Sequence, residues 1–130
     1  MWMLSTMIHG GTFELFGNEY KILTDEEADK AAEESIEESL WAFNAEFILE
    51  HSKIEVVGRE YDEIVKAFHK MQETLCESAN ALVKALVTDI NDSIDDFVQA
   101  AVEADGRGHF ISSYDGEEYE SENFYIYRTN

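Results

Sequence analysis

Apolar residues recur at steps of three and four along two stretches of the chain, and this spacing is typical of helices with one buried face. Proline, which would break a helix, is absent from the 130 residues. The first stretch predicts a helix from Thr24 to about His51, and Thr24 and Glu27 match a capping box at its start. Its predicted buried stripe consists of Ala28, Ala32, Ile36, Leu40, Phe43 and Phe47.

The second periodic stretch runs from Tyr61 to Ala101. A single helix over this stretch would be far longer than helices in small domains usually are. We therefore predict a break inside "TDINDS", with Ser93 and Asp96 as a second capping box, and an end at Gly106 as a left-handed cap. The apolar stripe is predicted to contain Tyr61, Ile64, Val65, Phe68, Met71, Leu75, Ala79, Leu82, Leu86, Ile90, Ile94, Phe97 and Ala101.

Two flanking segments predict β-hairpins. "GTFELFGNEYKIL", residues 11–23, alternates apolar and polar residues around a predicted turn at Gly17-Asn18, and the same pattern is also compatible with two short edge strands. In "HFISSYDGEEYESENFYIYRTN" we predict one strand at Phe110 and Ile111 and a second strand at residues 124–127. The sequence thus predicts an α+β fold in a single domain, residues 1–130: a helical core of two to three helices with a small antiparallel sheet formed by the N- and C-terminal hairpins.

Charge sets the strongest limit on function, because the chain has 29 acidic and 9 basic residues and a net charge of −20. Surfaces that bind phosphates are basic, so we expect no direct contact with nucleic acid or with an anionic membrane, and we expect a basic protein partner. The N-terminal "MWMLSTMI" lacks the basic region of a signal peptide, and no stretch predicts a membrane span. A lone cysteine, Cys76, is typical of a reducing cytoplasm.

The acidic side chains of the first helix are predicted to form two neighbouring rows away from its apolar stripe. Carboxylates one helical turn apart lie about 5–6 Å from each other, and a DNA strand carries one phosphate per roughly 3.4 Å of axis. Such rows could replace phosphates in a basic groove, although an ordinary solvated helix face is an equally simple explanation. The candidate partner-binding residues are Glu26, Glu27, Glu33, Glu34, Glu37 and Glu38, with Asp92, Asp95 and Asp96 as a second group.

A C-terminal group brings acids, bases and an imidazole close together in sequence: Asp105, Arg107, His109, Tyr114 and Asp115. Helix-exit and turn chemistry at Gly106, Gly108 and "YDG" explains the same residues more simply. The histidines lack zinc spacing, and "DINDSIDD" lacks the central glycine and final glutamate of a calcium loop. We therefore predict no catalytic residue, no metal and no cofactor.

Two segments resemble a widespread group of small bacteriophage proteins that have no assigned activity. The resemblance lies in "YKILTDEEADKAAEESIEESLWAFNAEFI", residues 20–48, and in "DGRGHFISSYDGEEYE" followed by "FYIYRTN" at residues 105–120 and 124–130. It implies a phage-encoded protein that acts in the host cytoplasm. It implies no catalytic residues.

Charge and resemblance together predict a non-enzymatic counter-defence inhibitor of the anti-CRISPR or anti-restriction type. Its partner would be a basic host protein or ribonucleoprotein complex, bound through an acidic imitation of DNA or RNA. One alternative is a phage interaction or structural accessory protein that uses apolar helix surface, with charge serving solubility; that surface is also compatible with a homodimer. A second alternative is an enzyme built on Asp105, Arg107 and His109.

Overall fold

A computed structural model describes residues 6–9, for which only the backbone is described, and residues 12–52, 55, 58 and 60–130. Trp2, in the N-terminal "MWMLSTMI", and Gly11, the first residue of the first predicted hairpin, lie outside these residues. The chain divides into two compact units: a sheet unit, Met1–Ser35 with Ala101–Asn130, and a helical unit, Ile36–Ala100.

Among the described residues of the sheet unit, five strands form one antiparallel sheet in the order β1-β2-β3-β5-β4. N- and C-terminal strands meet where β3 pairs with β5, so the predicted α+β fold with a sheet built from both ends of the chain is confirmed. The strands are β1 Thr6–His9, β2 Thr12–Leu15, β3 Asn18–Leu23, β4 Tyr119–Ser121 and β5 Phe124–Arg128.

The turn of the first hairpin lies one residue earlier than the predicted Gly17-Asn18. Leu15 pairs with Asn18, which leaves Phe16 and Gly17 as the two turn residues. Both have positive φ, 53° and 84°, as the favoured two-residue hairpin turn requires. Phenylalanine is unusual in this conformation, so nothing in the sequence indicated Phe16 as a turn residue. The predicted turn is therefore one residue too late.

The second hairpin contains β4 and β5, and the predicted strand at Phe110 and Ile111 is wrong. These residues belong to α6, Arg107–Ile111. Gly106, with φ 85° and ψ 152°, separates α6 from the preceding helix in a conformation that favours glycine. A Cβ on Gly108 would lie 2.6 Å from the carbonyl carbon of Glu117, so glycine allows α6 to pack against the backbone of residues 116–118.

Helix α1, Asp25–Glu38, begins as predicted. Thr24 N donates to Glu27 Oε1 at 2.9 Å, and Glu27 N donates to Thr24 Oγ1 at 3.3 Å, which confirms the first capping box. The predicted end near His51 is wrong, because a 3₁₀ turn at Leu40–Ala42 follows α1. Asn44 then accepts hydrogen bonds from the backbone of residues 46 and 47, which starts a new helix, α2, Ala45–Glu50.

The core of the sheet unit joins α1, α6 and the sheet. Its buried members are Leu23, Ala28, Ala32, Ile111 and Tyr127. Tyr125 packs against this cluster, while Phe124 is 45% exposed. Of the residues predicted in the last strand, the two tyrosines therefore face this core.

In the described part of the helical unit, four helices account for most of the structure. The predicted apolar periodicity of residues 61–101 is divided among α3 Glu60–Leu75, a 3₁₀ segment Cys76–Ala79, α4 Asn80–Val87 and α5 Asp95–Asp105.

The phase of the apolar stripe changes at Cys76, whose φ is 48° and ends the α-helical path of α3. After this break Val83 is fully buried and Val87 is 6% exposed, whereas Leu82 is 47% exposed. The prediction that Leu82 belongs to the buried stripe is therefore wrong, because it continued the period of α3 across the break.

The predicted break inside "TDINDS" is confirmed, since α4 ends at Val87 and α5 begins at Asp95. The second capping box is wrong in detail. Ser93 Oγ accepts from Asp95 N at 3.0 Å, but Ser93 N donates to Asp89 Oδ1 at 3.1 Å. Asp89 thus organises this loop, and Ile90, which we predicted to be apolar core, is 95% exposed.

Aromatic rings form part of the packing of the helical unit. Phe97 is 1% exposed, and its ring centroid lies 5.1 Å from that of Phe43 and 5.3 Å from that of Phe47. The ring of His51 is tilted against those of Phe47 and Phe97, with centroid distances of 4.5 Å and 6.0 Å. The predicted burial of Phe43 and Phe47 is thus reached only in part, through contacts from α5.

Asn80 satisfies backbone groups on both sides of Ser39. Its Oδ1 accepts from Trp41 N, and its Nδ2 donates to Glu38 O, both at 2.8 Å. Asn80→Ala should lower the free energy of unfolding by about 1–3 kcal/mol, because a backbone donor and an acceptor lose their partner. Urea denaturation measures the change.

Asn91→Ala is the matched control, because the Asn91 side chain is exposed in a loop. It should change stability by less than about 0.5 kcal/mol. Equal effects of the two substitutions would contradict the role given to Asn80.

Candidate protein-binding surface

The predicted acidic rows of α1 lie on its solvent side. Glu26, Glu27 and Glu34 are exposed and Glu33 is half-buried, while Ala28 and Ala32 on the opposite stripe are fully buried. We call Glu26, Glu27, Glu33 and Glu34 the acidic face; all four belong to the sheet unit.

Among the described residues, no lysine, arginine or histidine forms an ion pair with a carboxylate of the acidic face. Lys30 follows the same exposed side of α1 without pairing to them. Glu27 also has a structural role, because its carboxylate caps the first turn of α1. The acidic face therefore keeps its charge, and like charges one turn apart cost the helix a few tenths of a kcal/mol per pair.

Arg107 forms ion pairs with carboxylates on a different side of α1. Its Nη1 lies 2.8 Å from Asp25 Oδ1 and 2.9 Å from Asp29 Oδ1, and its Nε lies 2.8 Å from Glu118 Oε1. The guanidinium also lies over the ring of Tyr125, 4.5 Å from its centroid. One side chain, 12% exposed, thus joins α1, α6 and the segment before β4.

The hydrogen bonds of Arg107 outweigh the effect of its burial. Burial by itself would lower the pKa of Arg107, but bonds to Glu118, Asp25 and Asp29 raise the pKa above its ordinary value. The hydroxyl of Tyr127 donates to the same Glu118 carboxylate. Burial, followed by this hydrogen bond, raises the pKa of Tyr127.

The sequence analysis attributed Arg107 and its neighbours to helix-exit chemistry and missed this cluster. The local signal was "GRG", which we interpreted as a helix exit. Asp25 and Asp29 precede Arg107 by 82 and 78 residues, so only the packing of α6 on α1 brings them together.

The remaining predicted site residues belong to the helical unit. Glu38 is exposed and Glu37 half-buried at the end of α1. Asp92 lies in the loop before α5 with φ 60°, and Asp95 and Asp96 are exposed in the first turn of α5. Both units are acidic, with fifteen acidic against four basic residues in the sheet unit and fourteen against five in the helical unit.

The C-terminal acid–base group does not assemble. Within the described residues, no hydrogen bond or ion pair joins any two of its side chains. Asp105 is exposed at the end of α5, and His109 is exposed with its ring edge-on to Phe110. The ring of Tyr114 lies under Arg128, whose guanidinium carbon is 3.6 Å from the ring centroid.

Ser112 caps the C-terminal end of α6 and is 6% exposed. Its hydroxyl bonds with the Arg128 carbonyl and with Asp115 Oδ1 at 2.9 Å. Asp115 also accepts from Glu117 N at 3.0 Å and from the Tyr119 hydroxyl. These contacts build the "YDG" turn that the sequence predicted.

Two kinds of feature are absent from the part of the chain that the structure describes. No cluster of three or more histidine, cysteine, aspartate or glutamate side chains there could hold a metal ion. No helix there combines the length and the apolar character needed to cross a bilayer.

Arg107→Met should lower the free energy of unfolding by about 1–3 kcal/mol, because it leaves three carboxylates and a stacked ring without their shared partner. Arg107→Lys should recover only part of this loss, since one ammonium cannot reproduce the guanidinium fork. Lys30→Met removes the same charge from an exposed position and should change stability little. Unchanged urea midpoints for both Arg107 variants would contradict the role of the cluster.

Asp115 provides a pH test. The hydrogen bond from Glu117 N, followed by those from Ser112 and Tyr119 against some opposing burial, lowers the pKa of Asp115 below its ordinary value. The group therefore stabilises the fold above the unfolded pKa of about 3.9, and this contribution is lost as the pH falls through the folded pKa. Carboxyl NMR titration should find this low pKa, and Tyr119→Phe should raise it; an Asp115 that titrates at or above 3.9 would refute the assignment.

Comparison with known proteins gives no assignment of family: no protein-family model, no curated protein and no solved structure matches the chain at a significant level.

Proposed function

We propose that this protein is a non-enzymatic counter-defence inhibitor that binds a basic nucleic-acid-binding groove of a host defence complex through the acidic face of α1. The observation that carries the proposal is that Glu26, Glu33 and Glu34 have no cationic partner among the described residues, although Arg107 pairs with Asp25 and Asp29 on the same helix. The resemblance to bacteriophage proteins supports the choice of a defence complex as the partner.

The distribution of charge on α1 favours a binding role over a solubilising one. A coat that only solubilises would be more stable with lysines interspersed at i,i+4, since such pairs contribute about 0.2–0.5 kcal/mol each. Here eight acidic residues and one lysine occupy the fourteen residues Asp25–Glu38. A cationic groove would remove the resulting repulsion when it binds.

A rigid helix suits this role because phosphate imitation depends on spacing. The capping box fixes the first turn of α1, and Arg107 ties the same turn to α6 and to Glu118. The carboxylates of Glu26 and Glu33 therefore project from a helix that is held at its N-terminus. Binding then costs little ordering of the backbone.

The test uses a panel of purified CRISPR effector and restriction complexes and measures DNA binding and cleavage over a salt series. We expect inhibition that competes with DNA and weakens as salt rises, because exposed charges are screened. The triple variant Glu26→Lys, Glu33→Lys and Glu34→Lys should lose inhibition by at least about tenfold. Glu27 is left unchanged because it caps the helix.

The matched control is Glu50→Lys, Glu63→Lys and Glu77→Lys, three exposed residues in the helical unit that change the net charge by the same amount. It should retain most of the inhibition. Equal losses in the two triple variants, or inhibition that does not respond to salt, would refute binding through the acidic face.

One observation favours the alternative of a partner that binds apolar surface. Gln72 is the one buried residue of α3, all of whose residues the structure describes. The apolar side of this helix is only partly covered, with Ile64 38% and Leu75 43% exposed. Such a surface is typical of a protein–protein contact, including a homodimer.

Ile64→Gln combined with Leu75→Gln separates the two functions. Under the leading proposal these substitutions leave inhibition unchanged while the charge reversals abolish it. Under the alternative, inhibition or the dimer measured by light scattering is lost and the charge reversals are tolerated.

A further inference from the structure

The core of the sheet unit lies against one face of its sheet. Leu23 and Tyr127 belong to this core together with Ala28 and Ala32 of α1. Successive residues of a strand point to opposite faces of a sheet, and directly paired residues point to the same face. The strand residues that alternate with Leu23 and Tyr127 therefore point away from α1.

The pairing register identifies the residues that point away from α1. Phe13 pairs with Tyr20, and Ile22 pairs with Ile126. We call this side of the sheet the outer face. Its apolar residues are Phe13, Leu15, Tyr20, Ile22, Phe124 and Ile126.

The apolar side chains of the outer face are only partly buried. Phe124 is 45% exposed, and the other five are half-buried. An antiparallel sheet that packs one face on a core commonly carries polar residues on its other face. This sheet carries large apolar residues on both faces, and a contiguous apolar patch of this kind marks an interaction surface.

The carboxylates of the strands lie on the side of α1. The acidic residues of the five strands are Glu14, Glu19 and Glu120. Glu14 pairs with Glu19 and alternates with Phe13, while Glu120 pairs with Tyr125, which packs against the core. The outer face therefore carries no strand carboxylate, although 29 of the 130 residues are acidic.

Polar groups of the outer face and beside it bond to one another. Arg128 Nη2 donates to Asn18 Oδ1 at 2.9 Å, and the Arg128 guanidinium carbon lies 3.6 Å from the centroid of the Tyr114 ring. The Tyr119 hydroxyl donates to Asp115 Oδ2 at 3.2 Å. What remains for a partner is the apolar surface.

A second copy of the chain fits this surface better than a basic partner does. In a two-fold dimer the same patch of both copies meets, so a carboxylate on the patch would approach carboxylates of the other copy. Two chains that each carry a net charge of −20 repel each other, and a face without strand carboxylates keeps this repulsion small at the contact. Homodimer interfaces are also more apolar than those of transient complexes.

We propose that this protein forms a two-fold dimer in which the outer faces of two sheets pack against each other. Antiparallel sheets pack in this way at a separation of about 10 Å, with side chains interdigitated. In each copy α1 lies on the other side of the sheet, so the acidic face stays free in the dimer. The proposal does not depend on the function proposed above.

The experiment measures the sedimentation of the whole protein over a concentration series at several salt concentrations. We expect a monomer–dimer equilibrium in which the dimer strengthens as salt rises, because salt screens the repulsion between two acidic chains. Binding of the acidic face to a basic groove has the opposite salt dependence, so the two contacts are distinguishable.

Phe124→Thr combined with Ile126→Thr removes two apolar side chains from the outer face and keeps residue types that favour strands. It should weaken the dimer at least about tenfold. The matched control is Ile64→Gln with Leu75→Gln, which removes two exposed apolar side chains from α3 in the helical unit. It should change the dissociation constant of the dimer by less than about twofold.

A second measurement uses the unsubstituted chain, so that it does not depend on the folding of a variant. In a mixture of isotope-labelled and unlabelled protein, isotope-filtered NOEs report only contacts between two copies. We expect NOEs from the methyl groups of Ile22 and Ile126 in one copy to the rings of Phe13, Tyr20 or Phe124 in the other.

Three outcomes would overturn the proposal. A protein that stays monomeric at millimolar concentration and high salt would assign the outer face to a different protein partner. A dimer that is lost in the α3 variant and kept in the β5 variant would place the contact on α3. Intermolecular NOEs confined to residues elsewhere would exclude the packing of sheet on sheet.

Discussion

The position of the acidic helix depends on one guanidinium. Arg107 contacts Asp25, Asp29, Glu118 and the ring of Tyr125, and thereby joins α1, α6 and the second hairpin. The geometry uses what arginine offers and lysine does not, a rigid fork of donors on a flat face that stacks. The same cluster extends to Tyr127, which is fully buried and bonds with Glu118. In a chain with a net charge of −20, this arrangement places a scarce base where it holds structure together.

The consequence for function is a division of charge on α1. Two carboxylates beside the buried stripe, Asp25 and Asp29, pair with Arg107, whereas those of the acidic face are left to solvent or to a partner. Repulsion along the acidic face slightly opposes folding, and the capping box and the buried alanines offset it. The partner that we propose for this surface is a cationic groove of a defence complex. The partly exposed apolar side of α3 offers a different kind of contact in the helical unit, so the two modes can be separated by substitution.

Irregular backbone in the helical unit is held by side-chain amides. Asn44 starts α2, and Asn80 bonds with backbone groups on both sides of Ser39. Gln72 donates to the carbonyls of Trp41 and Phe43, which lie between α1 and α2. Each amide satisfies polar backbone groups that a regular helix would have satisfied itself. Gln72 does so through its Nε2, while its own oxygen is buried and has no hydrogen-bond partner among the described residues.

Sequence alone determined the features that depend on neighbours within a few residues. The start of α1 follows from Thr24 and Glu27, the stripe of Ala28, Ala32, Ile36 and Leu40 follows from helical periodicity, and the break before α5 follows from the polar loop. The α+β class follows from two segments with helical periodicity of apolar residues that lie between segments in which apolar and polar residues alternate. Tertiary structure decided the turn at Phe16, the short helix at residues 107–111, the change of phase at Cys76 and the partners of Arg107. Of the candidate site, the carboxylates were predictable, but which of them remain unpaired was not. The physical reason is that an ion pair between residues about eighty positions apart leaves no periodic or local trace in the sequence, and it forms only where packing brings its two charges within hydrogen-bond distance.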